Sequence, residues 1–275
     1  MRSKILVPIE ALQSLYLEQG LSPAAIARIH GCTSVTIRAR LLEAGIPLRS
    51  KSAAQNRYAK YDFNGSEVAK AYMLGFRYGD LNVFQPKGAS QTIVVRSHTT
   101  HQCQEFLFTE LFGDFGKITT SRNNRTIHSN AYLNMSFSFL LGKYNGTVRK
   151  WLHESNQRLR SFAAGYIDAE GTFGLNQGKG RFKMDAYDQD ILSDLHDFFV
   201  REGVRSKMRI IARKGENDYG WVWKKDLWRV SVNEAGSLEK FIQSLSPYLR
   251  HQKRIADVGI VLSNINQRRK NGTIK

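Results

Sequence analysis

The chain has 275 residues, room for one large domain and a small one, and 41% of them are hydrophobic, which excludes a disordered chain. Lys and Arg number 41 against 24 Asp and Glu, a formal charge of +17, so a polyphosphate is the expected partner. No apolar run approaches the ~20 residues that span a bilayer, the opening MRSKILVPIEAL lacks a signal-peptide apolar core, and the isolated Cys32 and Cys103 suggest no disulfide framework, so a cytoplasmic protein without membrane contact is expected.

Residues 1–48 read as a helix-turn-helix DNA-binding domain. Ser22 caps a first helix with Pro23 at its start, and Ala24, Ile26, Ala27 and Ile29 form its apolar side. Gly31 turns the chain, and Thr33 or Ser34 caps a second helix that Gly45 closes. Val35, Ile37, Leu41 and Leu42 are expected to face inward, leaving Ser34, Thr36, Arg38 and Arg40 for a major groove. Residues 49–66 form a basic linker whose Arg49, Lys51, Arg57 and Lys60 track phosphate.

From residue 67 the signals run helix, two strands, helix, two strands, helix, and then repeat, over 67–152 and 153–275. In the first half the elements are a helix at Ala71 to Asp80, strands LNVFQ and QTIVVRS around PKGAS, and a helix from Thr100 to Phe112. Strands KITTSR and TIHSNAYLNMSF around Asn123 and Asn124 follow, with a short helix near Ser138 to Gly142. In the second half a helix from Leu159 leads to strands TFGLNQ and RFKMDAY around GKG, and then to a helix from Gln189 to Arg201. A basic hairpin, VRSKMRIIARK with YGWVWKKDLWRVSV, precedes helices at Ala235 to Leu245 and His251 to Asn266. The fold class is α+β, a duplicated αββαββα pattern with antiparallel sheets. A sheet packed on helices along one face leaves the other for solvent or a ligand.

The two halves open on related stretches, AYMLGFRYGDLNV and SFAAGYIDAEGTFGL. Gly75 and Gly79 in one, Gly165 and Ala169 in the other, are four apart and share a helix face, so two such faces can meet backbone to backbone. Glycine inside a helix costs about 1 kcal/mol against alanine, and close approach of a partner helix is the compensating gain. Each helix ends in an acid, Asp80 or Glu170, where a strand begins, so side-by-side packing brings two carboxylates together as a metal site.

FAAGYIDAEGTF resembles the LAGLIDADG motif of homing endonucleases, with Ala163 to Gly171 on its nine positions, and YMLGFRYGDLNV resembles the family's first motif. The first copy departs at Arg77, at Tyr78 where the second has Asp168, and at Leu81 in place of glycine. The resemblance implies that Asp80 and Glu170 hold Mg²⁺ or Mn²⁺, with backbone carbonyls of Gly79 and Ala169 as further ligands. It also implies a catalytic lysine near the end of a repeat, for which Lys253 stands close and Gln252 is the more literal match. The implied activity is metal-dependent hydrolysis of double-stranded DNA at a long, non-palindromic site, with short 3′ overhangs across a minor groove, by a monomer. An RNA maturase acting on intron RNA and a transcription regulator on a decayed nuclease scaffold are the alternatives, and retention of both acids favours the nuclease.

The DNA-facing candidates are side chains of the types that read groove edges and phosphates. In the first half they are Gln85, Lys87, Gln91, Arg96, Arg122, Arg125, Asn130 and Asn134. In the second they are Asn176, Gln177, Lys179, Arg181, Lys183, Lys207, Arg209, Arg213, Lys224 and Arg229. Serine-hydrolase elbow, P-loop and dinucleotide-turn motifs are missing. His98, His101 and Cys103 lack a second ligand pair for zinc, and Trp221, Trp223 and Trp228 read as sheet packing.

Overall fold

A computed structural model describes residues 7–49, 58–87, 91–218 and 220–274, with the side chains of Asp218 and Trp221 undescribed. The expected linker residues Lys51 and Arg57, and Gly88 to Ser90 of the PKGAS turn, lie outside the described residues. The chain divides into two compact units, one drawn from residues 1–59 and 87–91, the other from 60–86 and 92–275.

The smaller unit holds α1 (Ile9–Gln13), a π turn over Ser14–Glu18, α2 (Pro23–Ile29) and α3 (Ser34–Glu43). Ser22 Oγ accepts from Ala25 N and Thr33 Oγ1 from Thr36 N, so both helices start at the hydroxyls read from the sequence. Leu12, Tyr16, Ile26, Ala27, Ile37 and Leu41 make its core. Ile29, Val35 and Leu42, expected inside, are exposed, and so is Ala24. The reason is geometric: Ile37 and Leu41 are four apart on the buried face of α3, whereas Val35 and Leu42 share the opposite stripe with Arg38 and Ala39. Arg40 pairs with Glu43 at 3.3 Å, Thr36 shares a 2.9 Å hydroxyl bond with Thr33 and Ser34 is half-buried, whereas Arg38 is exposed. Arg49 is spent internally, its guanidinium over the Tyr16 ring and bonded to the Gly20 and Leu21 carbonyls.

In the larger unit residues 60–66, read as linker, lie along the first repeat. Tyr61 N donates to Phe115 O at 2.9 Å, Phe63 N to Ser136 Oγ at 2.8 Å, and Lys60 Nζ to Thr92 Oγ1 at 2.5 Å. Phe63 anchors the segment, since its ring packs on Phe115, Phe137 and Phe139. The first repeat is then α4 (Glu67–Asp80), β1 (Leu81–Phe84), β2 (Ile93–Thr99), α5 (Gln102–Phe112), β3 (Lys117–Asn123), β4 (Thr126–Leu133), a 3₁₀ segment (Met135–Leu141) and α6 (Gly146–His153). The second is α7 (Asn156–Glu170), β5 (Gly171–Asn176), β6 (Lys179–Ala186), α8 (Gln189–Arg201), β7 (Ser206–Ala212), a small hairpin β8 (Asn217–Asp218) and β9 (Trp221–Val222), β10 (Leu227–Val232), α9 (Ala235–Leu245) and α10 (Gln252–Lys270).

The sheets are antiparallel, ordered β1-β2-β4-β3 and β5-β6-β10-β7, so corresponding strands occupy corresponding places. Burial alternates along β4 and β6, as required when one face meets helices and the other does not. Three local expectations shift. β4 ends at Leu133 because Asn134 caps the 3₁₀ segment, its Oδ1 accepting from Ser136 N, while Asn134 Nδ2 donates to Asp62. The β5–β6 turn is Gln177 and Gly178, both at positive φ, which is the twist a two-residue hairpin requires. Gly180 therefore sits in the strand against Val261. Helix α6, absent from the sequence reading, forms because Asn145 accepts from Val148 N and Leu152 is buried. Among the described residues no helix is long and apolar enough to cross a membrane.

Candidate active site

Helices α4 and α7 cross at the centre of the larger unit, and the small residues determine how closely. A Cβ built on Gly75 would overlap the Phe162 carbonyl oxygen and lie 2.8 Å from Tyr166 N, and one built on Gly165 would overlap the Tyr72 carbonyl and lie 2.9 Å from Phe76 N. One turn further, a Cβ on Gly79 would overlap Ala169 Cβ and lie 3.2 Å from Glu170 Cγ. Gly79 thus faces Ala169 and Glu170 directly, and Asp80 and Glu170 are carried to the same end of the crossing. Both acids terminate their helices, where the dipole disfavours negative charge.

Burial raises the Asp80 pKa, against the opposing pull of Arg254, a hydrogen bond from Gln104, and His101. Glu170 is pushed up to about 7, first by burial and next by the charge of Asp80, with Asp188 adding to the effect and Arg254 opposing it. Two buried carboxylates, the charge of Asp80 raising the Glu170 pKa, at helix ends of the wrong polarity suit a divalent cation. The donor set is hard oxygen, and Asp168 beside it keeps Oδ1 buried without a partner among the described residues. Among the described residues no three His, Cys, Asp or Glu side chains form a metal-holding group.

Further side chains the sequence reading missed complete the site. Gln104 is 6% exposed, donates to Asp80 Oδ2 at 3.0 Å, and accepts from Thr99 Oγ1 at 2.8 Å. Asp168 is 1% exposed, and its Oδ2 accepts from Tyr72 Oη at 2.5 Å, Arg250 N at 2.8 Å and His251 N at 3.1 Å. It therefore fastens the start of α10 to the crossing, one turn before Arg254. Burial raises the Asp168 pKa, opposed by those three donors and by Arg254. A cavity of about 410 Å³ is walled by Asp80, His98, Gln104, Asp168, Arg254 and Lys253 among others. Lys253 lines it, but its Nζ is bound to Asp257 at 2.7 Å, and the cation that acts on all three acids is Arg254. Gln252 is exposed at the first position of α10.

Both missed polar groups had a readable signal. Gln104 falls on the stripe of Leu107, Phe108 and Leu111, and Arg254 on that of Val258, Val261 and Ile265, each a polar residue where helical spacing demands an apolar one.

Of the surface candidates, Lys179, Lys183, Lys207 and Arg209 stand exposed on their strands, and Arg96 projects from β2, donating to Asn130 at 3.0 Å over the Phe84 ring. Arg125, Asn176, Arg213 and Lys224 are exposed at hairpins, as are Gln85, Lys87 and Gln91 around the β1–β2 connection. Arg122 is a correction, since it pairs across from buried Ile127 and binds Glu105 of α5 at 2.6 Å, putting it on the helix-covered side. Gln177 lies in a turn rather than a strand, and Asn134 is used as a cap. Arg229 is locked by two 2.6 Å bonds to Asp185, and Arg181 donates to Asn233 O at 2.8 Å. Trp228 packs on the core, and the Trp223 ring lies 6.4 Å from that of Tyr187.

Two motif helices interlocked through glycine, each ending in an acid and each leading into a four-stranded antiparallel sheet, constitute the LAGLIDADG fold. Residues 158–245 match the model of the LAGLIDADG-like domain, so the second repeat is a domain of that family. No curated protein matches the chain. Similar solved structures include variants of the homing endonuclease I-DmoI (16% identity, TM-score 0.45, 65% of this chain and 90% of that one). The homing endonuclease I-WcaI bound to its DNA recognition sequence is another (10%, 0.46, 67% and 83%). Full-length DUF199/WhiA from Thermatoga maritima is a third (12%, 0.48, 76% and 63%).

Proposed function

We propose that this protein is a site-specific, metal-dependent endonuclease of double-stranded DNA. The observation that carries the reading is the glycine-locked crossing that brings Asp80 and Glu170 to the same end of two helices, where burial and the charge of Asp80 raise the Glu170 pKa. A stability-driven design would not place two acids together at two helix C-termini. A divalent cation held by Asp80 and Glu170, with the carbonyls of Gly79 and Ala169 as additional ligands, would activate water and neutralise the departing oxygen in phosphodiester hydrolysis. Gln104 fixes the direction of the Asp80 carboxylate, Asp168 positions α10, and Arg254 supplies positive charge beside the acids. The exposed cations of both sheets bind phosphate, and Arg38 on α3 extends the contact from the smaller unit. Both acids belong to one chain with unequal repeats, so a monomer cutting a non-palindromic site follows.

The test is to select bound duplexes from a random pool with the full chain, then incubate the selected site with Mg²⁺ or Mn²⁺. Cutting of both strands is expected from the wild type, and none from Asp80→Asn/Glu170→Gln, which should keep its affinity within a few-fold. Cleavage by the double variant, or failure of the wild type to cut in either metal, would refute the assignment.

A further inference from the structure

In both repeats two residues separate the second strand from the helix that follows, Thr100 and His101 between β2 and α5, Tyr187 and Asp188 between β6 and α8. His101 and Asp188 therefore hold corresponding places, each heading its helix with no side-chain cap bond. Their chemistry is opposite. The charge of His101, with that of Arg254 and the Gln104 bond, works against the burial that raises Asp80, whereas the charge of Asp188 adds to burial and Asp80 in raising Glu170. Asp188 also accepts from Tyr166 Oη at 3.4 Å. The backbone of His101 belongs to the network that aims Asp80: its N donates to Thr99 Oγ1 at 3.0 Å, Thr99 Oγ1 donates to Gln104, and Gln104 donates to Asp80. Among the described residues, five basic side chains wall the cavity beside Asp80, and four of them are unsuited to giving up a proton there. Lys253 is bound to Asp257, and a guanidinium such as that of Arg254 keeps its protons. His251 is 3% exposed, and burial, joined by the positive charges of Arg254, His101 and Lys253, pushes it down to about 4, so it is neutral. His98 packs edge to face on His128, with ring centroids 4.5 Å apart. The fifth, His101, is exposed.

We infer that His101 is a general acid for one strand only, giving a ring proton to the sugar oxygen that departs from the phosphate on the first repeat's side. This rests on the endonuclease reading. In the step a water oxygen bonds to phosphorus, the bond from phosphorus to the departing oxygen breaks, and its electron pair stays on that oxygen. The oxygen takes the proton from the His101 imidazolium, the water's own proton passes to solvent, and the imidazole is reprotonated from solvent. A sugar alkoxide is a poor leaving group, and a histidine placed at it is the side chain best matched to neutral pH for this task. The second repeat offers Asp188 at the corresponding place, whose negative charge beside Glu170 marks it as ionised and without a proton to give. The two cuts are therefore chemically unequal although the two acids are alike.

The experiment uses the full chain, the duplex it selects and Mn²⁺, with a separate label on each strand. His101→Ala is compared with His101→Asn, which keeps a polar group at the head of α5 but has no proton to transfer. In both variants one strand is expected to be cut about 100-fold more slowly, the scale of a lost general acid. The other strand should stay within a few-fold of wild type, so nicked duplex accumulates. End-group analysis of the wild-type product identifies the bridging oxygen that departs. Replacing that oxygen in the slow strand by sulfur, which leaves as a thiolate because thiols ionise far more readily than alcohols, should restore cutting to within a few-fold of wild type. Equal slowing of both strands, no slowing, or slowing that sulfur does not relieve would overturn the role. If the wild type cuts neither strand, the endonuclease reading fails first, and that control tells the two failures apart.

Discussion

Tyr72 of the first motif helix donates its hydroxyl to Asp168 of the second, joining the repeats 96 positions apart by a buried bond of 2.5 Å. Asp168 carries the same oxygen to the backbone of Arg250 and His251, so a single carboxylate ties α4, α7 and α10 together. In the first repeat the matching position is Tyr78, whose ring packs edge-on against Tyr144 at 5.8 Å. The departure at Tyr78 thus exchanges a polar tie for an aromatic contact at the pseudo-equivalent junction.

Tyr72→Phe keeps the ring and removes the donor, and a buried bond to a charged group is worth about 1.5–3 kcal/mol. The unfolding free energy from urea titration should fall by that amount, lowering the midpoint, with cutting reduced as α10 loosens. An unchanged midpoint would mean that the two backbone donors suffice to hold Asp168.

Gly75→Ala and Gly165→Ala each drive a methyl group into a backbone carbonyl of the other helix, which cannot rotate away, so a loss of at least 1–3 kcal/mol is expected, roughly the cost of overpacking a core. Gly259, inside α10 with nothing within 4 Å of its Cβ position, should behave oppositely: Gly259→Ala gains about 0.5–1 kcal/mol from helix propensity. Denaturation of the three variants side by side checks both signs.

Metal-free stability should depend on pH through Glu170. Its folded pKa of about 7 lies above the ordinary 4.5, so between those values the folded chain keeps a proton that the unfolded chain has released. Stability is therefore fully present below 4.5 and is lost as pH rises towards 7, with Asp80 and Asp168 shifted in the same direction. Since the ion binds the deprotonated form, Mg²⁺ or Mn²⁺ should raise Tm more at pH 8 than at pH 6. Thermal melts of Glu170→Gln should show a shallower slope across the window, and an unaltered slope would remove Glu170 as its source.

Gln104→Leu preserves volume and deletes the donor to Asp80. Partners of this kind typically contribute 10–100-fold to metal affinity or activity. The variant should cut about that much more slowly while binding its site normally, and equal rates would reduce Gln104 to core packing.

Arg38→Ala should weaken affinity and lower the magnitude of the salt slope by about one if the residue meets phosphate, or relax one base position if it reads an edge. Sedimentation of the complex should find one chain per duplex. Two chains would contradict the use of Asp80 and Glu170 from the same molecule.

The sequence alone determined the duplicated helix–strand order, the caps at Ser22 and Thr33, and the two acids, because periodicity, capping and the small-residue spacing at Gly75/Gly79 and Gly165/Ala169 are local properties of a chain. It misplaced what depends on which side a residue faces. Val35 and Leu42 look like core in a short helix until the position of Ile37 and Leu41 fixes the inner face, and Arg122 looks like a DNA contact until the register with Ile127 turns it towards Glu105. Only the tertiary structure brought Gln104 to Asp80, Asp168 to Tyr72 and α10, and Arg254 rather than Lys253 to the acids. Those contacts span from 24 positions, Asp80 to Gln104, to 254 − 80 = 174, Asp80 to Arg254. Hydrogen bonds and charge act through space, and no spacing along the chain records a distance that packing alone creates.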